Sequence, residues 1–155
     1  MNSRLPASLS LSFSGFARRG GVTDHHADGW GIAFFESEGE QPGRGIRHFV
    51  DKESAATSPL AHMLRSFPIK SHNVIAHVRK ATMGAITLEN AHPFVRELWG
   101  RYWVFAHNGD LKDYAPTLHG NFRPVGDTDS ELAFCWLMQE IVKSHAGVPS
   151  VAELS

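Results

Sequence analysis

The chain has 155 residues, 42% hydrophobic and 20% charged, which is typical of a globular domain and argues against a disordered or membrane-spanning chain. A net charge of −1 gives no basic surface that would favour nucleic acid or a membrane as a partner. The single cysteine, Cys135, cannot form an internal disulfide, so we expect a protein of a reducing compartment, the cytoplasm.

The first elements are recognisable from local patterns. Two apolar runs, Gly31–Phe35 and Ile46–Val50, flank a turn-rich stretch over residues 39–45, which predicts two strands joined as a hairpin. Ser58 and Pro59 then precede an apolar-periodic segment. Serine is a good N-cap and proline suits the first helical position, so a short helix is predicted there.

Two more strands and a long helix follow. Residues 73–81 alternate in character, as expected of a strand, and the apolar and aromatic run 102–107 predicts a central strand. Thr128, with Glu131 three residues later, forms a capping-box pattern that opens an apolar helix reaching about Val142. This order of elements predicts an α+β fold with sheets packed between helices.

Arg79 lies near the end of a strand that the sequence predicts to be buried. A buried guanidinium is costly unless it meets an anion, and its planar fork matches a carboxylate. Arg79 therefore indicates either a carboxylate ligand or an ion pair with an internal Asp or Glu.

Two other segments are equally open when taken singly. Asn108-Gly109 after a strand is typical of a tight turn, yet its carboxamide and its N–H can also stabilise an oxyanion. Asp129, at a predicted helix start, can serve the helix dipole or face a ligand ammonium. Together with Arg79, these groups would recognise an α-amino acid and attack its side-chain carbonyl.

These segments, in this order, resemble the class II glutamine amidotransferases, which are N-terminal-nucleophile amidohydrolases. The matching stretches are Arg19-Gly20, Asp28 to Gly31, His77 to Thr82, Asn90 to Phe94, His107 to Gly109 and Thr128 to Glu131. The resemblance implies the four-layer αββα sandwich of that class, here as a single domain over residues 1–155. We expect this domain to be truncated, with the sandwich incomplete at both ends.

The resemblance also assigns roles to residues. Arg79 is expected to hold the α-carboxylate of glutamine and Asp129 its α-ammonium, with Asn108 and Gly109 as the oxyanion hole. Thr82 and Met83 are expected to line the same pocket through backbone contacts. The pocket-supporting residues would be Arg19, Gly20, Asp28 and Trp30.

The nucleophile of the family does not appear in this sequence. Members begin with cysteine once the initiator methionine is removed, whereas this chain begins Met1-Asn2-Ser3. Cys135 lies inside the predicted apolar helix, where we expect a buried and inert thiol. Either the cysteine lies upstream of Met1, or the protein is a glutamine-binding pseudoenzyme or regulatory module.

The substrate remains open between glutamine and another γ-glutamyl compound. Lys80 and Met83 stand where sugar-phosphate-aminating relatives usually have tryptophan and histidine. No ammonia-accepting protein is identified as a partner, and no cofactor is implied. A remote alternative is a metal hydrolase built on His25 and His26 with Asp24 and Asp28, although the histidine spacing does not match a zinc motif.

Overall fold

The computed structural model describes residues 1–8, 15–16, 27–38, 41–82 and 84–153. In chain order the elements are β1 (Asn2–Ser8), β2 (Trp30–Glu38), β3 (Gln41–Asp51), α1 (Pro59–Arg65), β4 (Lys70–Val78), β5 (Phe94–Leu98), β6 (Arg101–Phe105) and α2 (Asp129–Ser144). Single 3-10 turns cover Leu88–Asn90 and Val151–Glu153. The described part is thus a small domain that mixes helices with antiparallel sheets.

The larger sheet has four strands in the order β1-β4-β2-β3, and all neighbouring strands are antiparallel. Gly31 pairs with Val50 and Phe35 with Ile46, which confirms the predicted hairpin. The predicted turn over residues 39–45 was too long, because β3 already begins at Gln41. Backbone pairing thus extends through a stretch whose glycines and proline suggested a loop.

The smaller sheet consists of β5 and β6, which pair antiparallel from Phe94 opposite Phe105 to Leu98 opposite Arg101. Trp99 and Gly100 connect them with φ of 56° and 69°, the positive values that tight hairpin turns require. The prediction that the run 102–107 forms a central strand was wrong for the described residues. It has one strand partner there, and its burial comes from packing against α2.

Helix α1 covers one face of the larger sheet. The Ser58 hydroxyl accepts a hydrogen bond from the Ala61 N–H at 3.2 Å, and Pro59 is the first helical residue, so the predicted cap is confirmed. Leu64 of the helix packs in a buried cluster with strand residues that include Trp30. Burial of these apolar side chains holds the helix against the sheet.

Helix α2 covers the smaller sheet. Phe134 and Met138 pack with Phe94, and the Phe134 ring stacks on Phe105 with centroids 5.2 Å apart. Thr128 caps the helix, since its Oγ1 accepts from the Glu131 N–H at 3.1 Å. No helix in the described ranges is long and apolar enough to cross a membrane.

In a capping box, the Glu131 carboxylate would accept the backbone N–H of the capping residue, Thr128. Here the carboxylate has other partners. It accepts the N–H groups of Val125 and Gly126 at 3.1 and 2.8 Å, and it also pairs with Arg96. Glu131 is 1% exposed, so these bonds offset the loss of its hydration. The carboxylate thereby fixes the loop that leads into α2.

Candidate functional site

A cleft of about 230 Å³ opens where the end of β4, the turn after β6 and the start of α2 meet. With His92 from the segment before β5, its walls come from four parts of the chain that are distant in sequence. The lining residues are His77, Arg79, Lys80, Thr82, His92, His107, Asn108, Gly109, Asp110, Thr128, Asp129 and Ser130.

Arg79 follows β4 and is 3% exposed. Its backbone N–H donates to the Gly29 carbonyl at 2.8 Å, which continues the pairing between β4 and the chain leading into β2. The side chain donates to the carbonyls of Ala85 at 2.9 Å and Gly84 at 3.2 Å. The guanidinium thus also holds the loop that follows it, a role that the sequence did not predict.

Two opposing effects act on the pKa of the Arg79 guanidinium. Burial lowers the pKa of its guanidinium from the usual value, and the charges of Asp28 and Asp127 act in the opposite direction. Because an arginine side chain stays protonated in proteins, the cleft contains a largely dehydrated cation. Such a cation attracts an anionic ligand.

The expected supporting residues Asp28 and Trp30 lie behind the cleft lining. The Asp28 carboxylate accepts the Ala81 N–H at 2.8 Å, which fixes the chain just after Arg79. Trp30 is fully buried in the core beneath α1. Neither side chain lines the cleft itself.

Asn108 and Gly109 lie in an exposed turn shortly after β6, which ends at Phe105. Gly109 has φ of 155°, and a Cβ at this position would lie 3.0 Å from Nε2 of His107. The histidine ring therefore packs directly against the turn. A side chain at position 109 would displace either the ring or the turn.

Asp129 is the first residue of α2, where a negative charge interacts favourably with the helix dipole. Its carboxylate accepts the N–H of Leu111 at 2.6 Å and that of Ser130 at 2.7 Å. It is half-buried and also lines the cleft. The cleft thus combines one buried cation with an anchored anion.

Three histidines converge on the cleft, His77, His92 and His107. His77 and His92 bring their Nδ1 atoms within 3.3 Å, and His107 places its Nδ1 3.1 Å from the Ser130 hydroxyl. Burial is the main cause that lowers the pKa of His92 to about 3. His92 is therefore neutral at ordinary pH.

Asn90 is a further residue whose role sequence reasoning missed. It is 1% exposed and donates to the Ala85 carbonyl at 2.9 Å and to the Asp127 carboxylate at 2.6 Å. Its own oxygen accepts the Asp127 N–H at 3.0 Å. Asn90 ties together two loops that border the cleft, and the Asn-x-His-Pro pattern was the available signal.

Some expected residues cannot be placed. Arg19, Gly20 and Met83 lie outside the described residues, as do Asp24, His25 and His26 of the metal alternative. Within the described ranges, no three His, Cys, Asp or Glu side chains are arranged to hold a metal ion. Thr82 is described and lines the cleft.

Cys135 is fully buried in α2 and does not line the cleft. Burial raises the pKa of its thiol, which disfavours the reactive thiolate. The structure therefore agrees with the expectation that this cysteine is inert.

Comparison with known proteins identifies the family. The sequence model described as "Glutamine amidotransferases class-II" matches residues 1–155. The chain belongs to the class II glutamine amidotransferases. The cleft described above is thus the candidate site of a glutamine amidotransferase domain.

Related class II amidotransferases are considerably longer than this chain. YafJ of Escherichia coli (strain K12) is 48% identical over 96% of the chain and 56% of its own length. A Haemophilus influenzae protein is 48% identical over 99% of the chain and 50% of its length. Both carry a provisional description as glutamine amidotransferases. The chain spans about half the length of these relatives.

A solved structure of the same type is also similar. It is a predicted glutamine amidotransferase from Pseudomonas aeruginosa PA01, with a TM-score of 0.67 and 42% identity. The match covers 99% of this chain and 58% of that one. The two chains therefore share the arrangement of the described domain.

Proposed function

We propose that the cleft binds glutamine, or the glutamyl part of a γ-glutamyl compound, and serves amidohydrolase chemistry at the γ-amide. The observation that carries this proposal is the convergence of Arg79, Asn108, Gly109 and Asp129 on one cleft of about 230 Å³. This volume lies below the roughly 300–1,000 Å³ of clefts for drug-sized ligands, and it suits a single amino acid.

The charges of the cleft complement a zwitterion. Arg79 would attract the α-carboxylate, and the Asp129 carboxylate would accept a hydrogen bond from the α-ammonium. Thr82 and Met83 would contribute backbone contacts. Asn108 and the Gly109 N–H would then stabilise the negative charge that develops on the amide oxygen during attack.

The nucleophile in this proposal is a cysteine upstream of Met1. β1 runs antiparallel to β4, and the Met1 amino group donates to the Val74 carbonyl at 2.6 Å. Residues ahead of Met1 would continue along β4 towards His77 and Arg79, which line the cleft. A thiolate there would attack the amide carbon, ammonia would leave, and water or another acceptor would resolve the thioester.

We further propose that the domain is the four-layer αββα sandwich of N-terminal-nucleophile hydrolases, over residues 1–155. Two features support it: α1 packs on the larger sheet, and α2 packs on the smaller one. A cavity of about 310 Å³ is lined by residues of both sheets, including Val74 and Val104. The two sheets would be the inner layers and the two helices the outer layers.

The second candidate function is a glutamine-binding module without turnover. Its specific support is the position of Cys135, since the only thiol of the sequence is buried away from the cleft. Both candidates require glutamine binding. They differ only in the presence of an N-terminal cysteine in the mature protein.

Calorimetric titration with L-glutamine tests the binding site. We expect the wild-type chain to bind and Arg79→Ala to lose affinity by at least about a hundredfold, as loss of a buried charged partner implies. Arg101→Ala, at an exposed arginine of β6, is the matched control and should bind normally. Equal affinity of folded Arg79→Ala and wild type would refute the assigned site.

Adding a segment that begins Met-Cys and continues β1 along β4 tests the catalytic part of the proposal. We expect glutaminase activity, measured as ammonia release. Asn108→Ala in that protein should reduce kcat by at least about a hundredfold, because one oxyanion donor is lost. A reduction of only a few-fold would show that Asn108 is not an oxyanion donor.

A further inference from the structure

The turn that carries the proposed oxyanion hole is exposed at Asn108, Gly109 and Asp110. Oxyanion donors are effective only when they are held within hydrogen-bonding distance of the developing charge. An exposed turn therefore needs support from its neighbours. In this structure the support comes from both sides of the turn.

The support on the N-terminal side comes from Ser130, which is 3% exposed. Its hydroxyl lies 3.1 Å from Nδ1 of His107 and donates to Oδ1 of Asp129 at 3.3 Å. A hydroxyl carries one proton, so while it donates to Asp129 it accepts from His107. The contact between Nδ1 of His107 and the Ser130 hydroxyl fixes the orientation of the ring.

The support on the C-terminal side comes from Asp129. Its Oδ2 accepts the Leu111 N–H at 2.6 Å, while its Oδ1 accepts the Ser130 N–H at 2.7 Å. Residues 107 and 111 are thus attached to consecutive residues of the first turn of α2. The three-residue turn spans the interval between these two attachments.

The ring of His107 adds a steric contact. A Cβ at Gly109 would lie 3.0 Å from its Nε2 and 3.1 Å from its Cε1. The orientation that Ser130 gives to the ring is therefore transmitted directly to the backbone of the turn.

We infer that Ser130 and His107 are positioning residues, and that with Asp129 they clamp the Asn108-Gly109 turn to the start of α2. Their role rests on the proposed function, because that function makes this turn the oxyanion hole. Asp129 is also the proposed ammonium site. Ligand binding at Asp129 and order in the turn are therefore coupled, and each stabilises the other.

Amide hydrogen exchange by NMR on the full chain tests the clamp. The readout is the Leu111 N–H, which is bonded to Asp129 and not to the substituted residues. Ser130→Ala and His107→Phe should each speed its exchange at least about tenfold, the effect of losing one hydrogen bond that holds the turn. The phenylalanine keeps a ring beneath Gly109 and removes only the bond to Ser130.

Three comparisons separate positioning from general destabilisation. The double variant should exchange no faster than Ser130→Ala alone, because Ser130→Ala already removes the bond to His107 that His107→Phe removes. His107→Asn, whose amide can reach the former Nδ1 position, should restore slow exchange more fully than His107→Phe. His62→Phe, at an exposed histidine of α1, should leave Leu111 unchanged.

Glutamine titration of the same proteins separates this inference from the proposed function. Glutamine should slow Leu111 exchange in the wild type and bind several-fold more weakly to Ser130→Ala. Unchanged Leu111 exchange in both single variants, or additive losses in the double variant, would overturn the clamp. A wild-type chain with the expected exchange pattern but no glutamine binding would instead overturn the proposed function and leave the clamp of the turn intact.

Discussion

Single side chains in and beside the cleft hold the backbone that surrounds it. Asn90, Arg79 and Asp129 are each buried or half-buried, and each holds a loop through hydrogen bonds to main-chain groups. Buried polar groups require such partners, since an unsatisfied one is costly. The residues that shape the site are therefore also among those that stabilise the fold around it.

The buried imidazole of His92 makes the stability of the fold depend on pH. Its pKa in the folded chain is about 3, mainly because of burial, whereas an unfolded histidine titrates at 6.5. The unfolded chain therefore binds a proton that the folded chain rejects below pH 6.5. The contribution of neutral His92 to the free energy of unfolding is fully present above pH 6.5. It decreases as the pH falls below 6.5, by up to about 1.4 kcal/mol per pH unit.

Urea unfolding of wild type and His92→Phe between pH 7.5 and 5 would measure this contribution. The phenylalanine ring can keep the edge-on packing that His92 makes with Phe94. We expect the variant to lose less stability than the wild type as the pH falls. Parallel stability curves for the two proteins would contradict the low pKa.

At the scale of elements, local capping chemistry decides where the helices begin. Ser58 is fully buried, accepts the Ala61 N–H and donates to the Asp51 carboxylate at 2.5 Å. Ser58→Ala should lower the free energy of unfolding by about 1–2 kcal/mol, since both the cap and the carboxylate lose a partner. Thermal unfolding would measure this loss.

Ser58 does not line the cleft, so glutamine affinity should be unchanged in Ser58→Ala. Thr57→Ala, at an exposed neighbouring position, is the control and should change stability by less than about 0.5 kcal/mol. A Ser58→Ala protein as stable as the control would show that the cap contributes little to this helix.

At the scale of the whole molecule, Gly31 of β2 allows the segment that carries His92 to pack closely on the larger sheet. A Cβ on this glycine would lie 2.2 Å from the His92 carbonyl oxygen and 2.9 Å from that of Phe49. The absence of a side chain on β2 lets the His92 segment lie directly on the sheet. This close approach places His92 against His77.

Gly31→Ala should therefore destabilise the protein by about 3 kcal/mol, because backbone atoms must move to admit a methyl group. It should also weaken glutamine binding, since the displaced segment borders the cleft. Gly45→Ala is the control, because no atom of the described residues lies within 4 Å of a Cβ there. Unfolding and calorimetry on both variants would test this, and equal stability of the two would contradict it.

The sequence alone determined the features that depend on near neighbours in the chain. The caps at Ser58 and Thr128 and the hairpin of β2 and β3 were predictable, because each follows from spacing over a few residues. The family was recognisable for a related reason. Its short segments carry distinctive residue types in a fixed order, and the family match extends over residues 1–155.

Only the tertiary structure decided which distant groups meet. The contact between His77 and His92, the tie from Asn90 to Asp127, and the bond from His107 to Ser130 each join different elements. Such contacts depend on strand register and on the paths of loops, which residue spacing does not encode. The extent of the smaller sheet depended on tertiary packing for the same reason, since an apolar run indicates burial but not what covers it.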